Sequence, residues 1–150
     1  MIQENTQAPD FTLPDNTGTM HTLSQYLGKW VLLYFYPKDD TPGCTKEACM
    51  LRDAHDAYTK NDIVVLGISK DSLESHTEFI SKYSLPFTLL SDKDASIIKL
   101  YQADGLLYTK RISYLIDPKG YVAKTYMSVS PETHANEVLE DKEKLQTIRH

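Results

Sequence analysis

The sequence predicts an α/β fold with a mixed central β-sheet flanked by helices. Three observations carry that prediction. Apolar strand-like runs alternate with helix-like segments along the chain. The longest apolar run, WVLLYFY at residues 30–36, shows no polar alternation, which suits a central strand covered on both faces. The alternation then ends in two consecutive strand-like runs joined by a Pro-Lys-Gly turn, with one more helix after them.

Each element follows from its local chemistry. Residues 1–29 read as irregular, with Pro9, Pro14 and Gly18 as breakers. The run at 30–36 is the first strand. Thr41-Pro42-Gly43-Cys44 then opens a helix: Thr41 suits the N-cap, Pro42 the first helical position, and good helix formers continue over 44–60. DIVVLGIS at 62–69 is a second buried strand. Leu73, Phe79, Ile80 and Tyr83 recur at helical spacing over 72–84, and Pro86 follows the end of that helix. PFTLLSD is a short strand and 94–101 a short helix. RISYLID and YVAKTYM form two strands around a turn with Pro118 and Gly120. Ser130-Pro131-Glu132 opens the last helix, which carries Val138, Leu139 and Leu145 on one face. The order is β-α-β-α-β-α-β-β-α, a βαβ unit followed by a ββα unit. That is the plan of a thioredoxin-like fold. Reactive groups of open α/β sheets lie beyond the carboxyl ends of strands, and Cys44 stands at such a point.

The 150 residues suit one domain, residues 1–150, large enough to fold without a metal or disulfide. A composition 41% hydrophobic and 25% charged is that of a globular chain. A net charge of −5 with scattered basic residues argues against a nucleic-acid partner. No apolar run is long enough to span a membrane, and the polar start lacks the features of a secretory signal. The expected location is cytoplasmic. There a structural disulfide is disfavoured, so the two cysteines are expected to be reactive, metal-binding or simply buried.

Cys44 and Cys49 stand five positions apart. A zinc site needs a second ligand pair, but His21, His55, His76, His134 and His150 are dispersed, so no metal is expected. The spacing is also too wide for a C-x-x-C dithiol. Two quiet core cysteines remain a serious reading, weakened by the position of Cys44 at a helix start, where backbone N–H groups and the helix dipole favour a thiolate. On an intact helix, residues five apart have Cα atoms about 8.7 Å apart. A disulfide needs roughly 4.4–6.8 Å. Either the two never pair, or the first turns of the helix unwind when they do.

YFYPKDDTPGCTKEAC closely resembles the Q-type peroxiredoxins, also called bacterioferritin-comigratory proteins. Their Pro-x(3)-Thr-x(2)-Cys signature falls on Pro37, Thr41 and Cys44, and one branch carries a resolving cysteine at the position of Cys49. APDFTLPDNTG and RISYLID also resemble the family, so the likeness runs from about residue 8 to the last helix. In the commonest family form Ser or Thr and then an aromatic follow the arginine. Here Arg111 is followed by Ile112, Ser113 and Tyr114, one residue off that form.

The resemblance implies a thiol-dependent peroxidase without a cofactor. It acts on hydrogen peroxide and organic hydroperoxides and is recycled by thioredoxin or a similar dithiol reductant. Cys44 would attack the peroxide and become a sulfenic acid, and Cys49 would condense with it to a disulfide. Arg111 would be the cation at the thiolate, since an ordinary thiol titrates near about 8.5. Thr41 would hydrogen-bond thiolate and peroxide, and Pro37 would shield the sulfur. The N–H groups of Gly43 and Cys44 would complete the pocket with Thr41 and Arg111. Glu47 could orient Arg111, but reads more readily as an exposed helix residue, and the chain as a monomer or weak dimer. Two other classes stay open at this stage: a redox-responsive binding protein without turnover, and a general thiol–disulfide oxidoreductase.

Overall fold

The structure, a computed structural model, describes residues 2–149. Its centre is β3 (Trp30–Phe35), every residue of which is buried. Side chains alternate across a strand. Trp30, Leu32 and Tyr34 therefore enter one apolar cluster, while Val31, Leu33 and Phe35 enter the other. A strand facing two cores has no solvent side, which accounts for its unbroken apolar sequence.

The five-stranded sheet has the order β5-β4-β3-β6-β7, with β4 (Ile63–Ser69), β5 (Thr88–Ser91), β6 (Ile112–Ile116) and β7 (Val122–Tyr126). The pairs β3–β4 and β4–β5 are parallel, while β3–β6 and β6–β7 are antiparallel. The sheet is mixed, as expected. The first cluster takes in residues of α1 (Pro42–Asp53), α2 (His55–Lys60), α3 (Leu73–Tyr83) and α5 (His134–Arg149). The second is closed by the N-terminal segment and α4 (Ser96–Leu100).

Three boundaries differ from the sequence expectation. The N-terminal region is not wholly irregular: β1 (Thr12–Pro14) and β2 (Met20–Thr22) form a small antiparallel hairpin, followed by a 3-10 turn at Leu23–Tyr26. The helix expected over 44–60 is broken at Ala54 into α1 and α2. The last helix starts at His134, because residues 130–133 form a turn with Ser130 carbonyl accepting from Thr133 and His134 N–H.

Candidate active site

α1 starts where β3 ends. Thr41 is its N-cap in an extended conformation, Pro42 its first residue and Cys44 its third. The first intrahelical bond runs from Thr45 N–H to the Thr41 carbonyl, at 2.8 Å. The N–H groups of Gly43 and Cys44 therefore lie in the first turn, where helix geometry offers no acceptor. Cys44, Glu47, Ala48 and Leu51 are the buried stripe of α1, at the i, i+3, i+4, i+7 spacing. Cys49 falls off that stripe and is half-buried, and both cysteines are free thiols.

Arg111 reaches this helix through sheet pairing. Phe35 of β3 is registered opposite Ile112 of β6 in antiparallel sense. The amino end of β6 therefore lies beside the carboxyl end of β3. Arg111, one residue upstream, donates from Nη2 to Cys44 Sγ at 3.3 Å and from Nη1 to Glu47 Oε1 at 2.9 Å. One guanidinium thus bridges the buried sulfur and a buried carboxylate. Burial works against the charge of Arg111, but Cys44 and Glu47 outweigh it and hold the guanidinium above its ordinary value.

Of the two readings of Glu47, the structure overturns the exposed one, since the residue is 1% exposed, and favours the one in which it orients Arg111. Burial pushes its carboxyl up to about 7, with Arg111 pulling in the opposite direction. Its second oxygen has no hydrogen-bond partner among the described residues. A signal for this was present. Glu47 stands three residues after Cys44 on the apolar stripe, where a carboxylate is out of place unless a cation meets it.

Gly43 makes room for this contact. A Cβ built there would lie 2.8 Å from Arg111 Nη2, too close for any other residue without displacing the guanidinium. Thr41 differs from the expected geometry. Its hydroxyl donates to the Lys38 carbonyl at 2.8 Å rather than to the sulfur, and its oxygen accepts no capping bond from the N–H groups of the helix. Its one proton is committed there, which leaves its lone pairs to accept from a substrate. Pro37 is half-buried, directly after the buried Tyr36.

The loop before α1 is fixed by a buried network that the sequence reading missed. Asp39 accepts from the Tyr36 hydroxyl at 2.6 Å and the Ser75 hydroxyl at 2.8 Å, and lies 2.6 Å from His76 Nδ1. Its backbone N–H donates to Asp71 at 2.8 Å. Asp39, Asp71 and His76 bring ligand-type atoms within 4.8 Å of one another. Both ring nitrogens of His76 are already engaged, however, Nε2 lying 3.1 Å from the Leu90 carbonyl. The cluster reads as a hydrogen-bond network that pins Asp39, five residues before Cys44.

A sulfur at a helix N-terminus, held by a guanidinium beyond the carboxyl end of a central strand, marks a thiol peroxidase of the thioredoxin fold. The chain belongs to the AhpC/TSA family, whose model matches residues 5–125, and within it to the Q-type or bacterioferritin-comigratory peroxiredoxins. A Coxiella burnetii protein named for the bcp peroxiredoxins is 46% identical over 149 residues, with 92% of this chain and 97% of that one covered. The crystal structure of a cysteine-to-serine mutant of Xylella fastidiosa PrxQ superposes with a TM-score of 0.89 at 29% identity, covering 100% of this chain and 99% of that one. A Xanthomonas campestris bacterioferritin comigratory protein, solved to explain its alkyl peroxide reduction, gives 0.87 at 29% identity, covering 95% and 98%. The protein is therefore an oxidoreductase that reduces peroxides through a thiol, and its family implies a thioredoxin-like reductant.

Proposed function

We propose that Cys44 is the attacking thiol and Cys49 the resolving thiol of this peroxidase. The observation that carries this assignment is the Arg111 guanidinium on Cys44 Sγ at 3.3 Å. The thiolate attacks one peroxide oxygen, an S–O bond forms and the O–O bond breaks. The second oxygen leaves as hydroxide or alkoxide and takes a proton from solvent. Arg111 and the N–H groups of Gly43 and Cys44 face the charge that develops between sulfur and oxygen. The Thr41 oxygen accepts the hydrogen bond of the incoming hydroperoxide, and Pro37, with no N–H to offer, limits water beside the sulfur. Glu47 fixes the guanidinium plane by accepting from Nη1.

Cys44 sulfenic acid then condenses with the Cys49 thiol, forming the disulfide and releasing water. Both cysteines lie on the continuous α1 helix, so the helix opens for this step. A thioredoxin-like dithiol reduces the disulfide. The named alkyl peroxide reduction of the Xanthomonas relative supports organic hydroperoxides as substrates alongside hydrogen peroxide. The chain acts as a single domain in the cytoplasm, as a monomer or weak dimer. Among the described residues no helix is long and apolar enough to cross a membrane.

The deciding experiment is stopped-flow reaction of the reduced protein with one equivalent of hydrogen peroxide, followed by denaturing alkylation and intact mass. Loss of two hydrogens with no alkylatable thiol supports the assignment. Slow reaction with both thiols still alkylatable would refute it.

A further inference from the structure

Disulfide formation requires α1 to open, so whatever holds α1 closed governs the second chemical step. Three contacts bracket the reactive segment, and all converge on the end of α3. Before the helix, Asp40 Oδ1 accepts from the Tyr83 hydroxyl at 2.7 Å and Asp40 Oδ2 from Lys82 Nζ at 2.8 Å. In the last turn of the helix, Arg52 Nη1 donates to the Tyr83 carbonyl at 2.8 Å. Asp40 stands four residues before Cys44 and Arg52 three after Cys49. Tyr83 therefore grips both flanks of the segment that must unwind.

The backbone beside this grip is poised to move. Asp40 is in the left-handed region at φ 56°, a conformation that a non-glycine residue leaves readily unless its surroundings hold it. Asp39 next to it is pinned in the buried network, while Thr41 begins the helix. Asp40 is thus the joint between a fixed residue and a moving one, and its own side chain makes the bonds to α3.

We infer that Tyr83, with Lys82, is a clamp on α1 and sets the rate at which the Cys44 sulfenic acid meets Cys49. Tyr83 and Lys82 are positioning residues, since neither touches the sulfur or the peroxide. The inference rests on the proposed roles of the two cysteines. When the clamp releases, α1 opens more often, and the condensation that ejects water runs faster from the larger open population. A clamp that holds longer leaves the sulfenic acid exposed to a second peroxide, which carries it to sulfinic acid.

The test compares wild type with Tyr83→Phe, Lys82→Ala and the double variant. Tyr83→Phe deletes one hydroxyl and keeps the ring packed edge-on against Phe79. Quenched-flow alkylation with intact mass separates reaction with peroxide from disulfide formation. The peroxide step should be unchanged. Disulfide formation should accelerate by about two- to tenfold, the scale of one exposed hydrogen bond or ion pair. The sulfinic acid fraction at a fixed peroxide excess should fall accordingly. Raising the salt to molar levels should speed the step in wild type but not in Lys82→Ala, because screening removes only an ion pair that is present. Unchanged or slower disulfide formation in the variants, with a normal peroxide step, would overturn the clamp and leave the cysteine roles standing. Failure of wild-type Cys44 to react with peroxide would overturn both.

Discussion

Glu47→Gln is the sharpest perturbation of the site because it removes one charge and almost no volume. The variant keeps a side-chain oxygen for Arg111 Nη1, which in the native protein lies 2.9 Å from Glu47 Oε1. In the fold, burial raises the Glu47 carboxyl from 4.5 to about 7. Between those values the folded protein holds a proton that the unfolded chain has released. Its stabilising contribution is therefore complete below 4.5 and is lost as the pH rises through about 7. At 1.36 kcal/mol per pH unit of displacement, the whole loss amounts to about 3 kcal/mol. Wild type should lose that much relative to Glu47→Gln between about pH 4.5 and pH 8, since the other titrating groups are common to both proteins. Urea unfolding under reducing conditions, followed by fluorescence of the buried Trp30, measures the difference at each pH. Two parallel stability curves across that window would refute the reasoning, because they would mean that the buried carboxylate is ionised in the fold at no cost.

Cys44→Ser should abolish peroxide consumption, measured as loss of peroxide in the presence of a dithiol reductant. Cys49→Ser should consume one equivalent and then stall with the same reductant, and sustained turnover would remove Cys49 from the resolving role. Gly43→Ala places a methyl group 2.8 Å from the present position of Arg111 Nη2, too close for the guanidinium to stay where it is. It should slow the stopped-flow peroxide step by about tenfold or more, the scale of a lost charged hydrogen bond, with the unfolding midpoint little changed; an unaltered rate would show that the guanidinium does not act on the sulfur. Arg111→Lys should slow the same step comparably, because one ammonium does not reproduce the planar fork that serves Cys44 and Glu47 together.

How far the sequence reveals this site depends on the range of the interaction. The start of α1 is legible because Thr41, Pro42 and Gly43 act locally, through backbone angles and a missing N–H. The core strand is legible because covering both faces leaves an unbroken apolar run. The break at Ala54 is not legible, since neither Gly nor Pro marks it in the sequence. The N-terminal hairpin escapes for a related reason: its strands are three residues each, too short to show a period, and Pro14 pairs where sequence alone suggests a breaker. For Glu47 the sequence favours the wrong one of two readings, because a charged residue on a helix is usually solvated and its partner lies 64 residues away. Local rules cannot place Arg111 at all; family resemblance nominates it, and topology explains it. The βαβ half supplies a helix N-terminus at the carboxyl end of β3, and β3 pairs in the parallel sense with β4. The ββα half then enters on the other side of β3 in the antiparallel sense, so the start of β6 lies at that same end. A parallel β6 would carry its first residue to the opposite edge of the sheet, a full strand length from Cys44. The change of strand direction across β3 is therefore what brings cation and sulfur together.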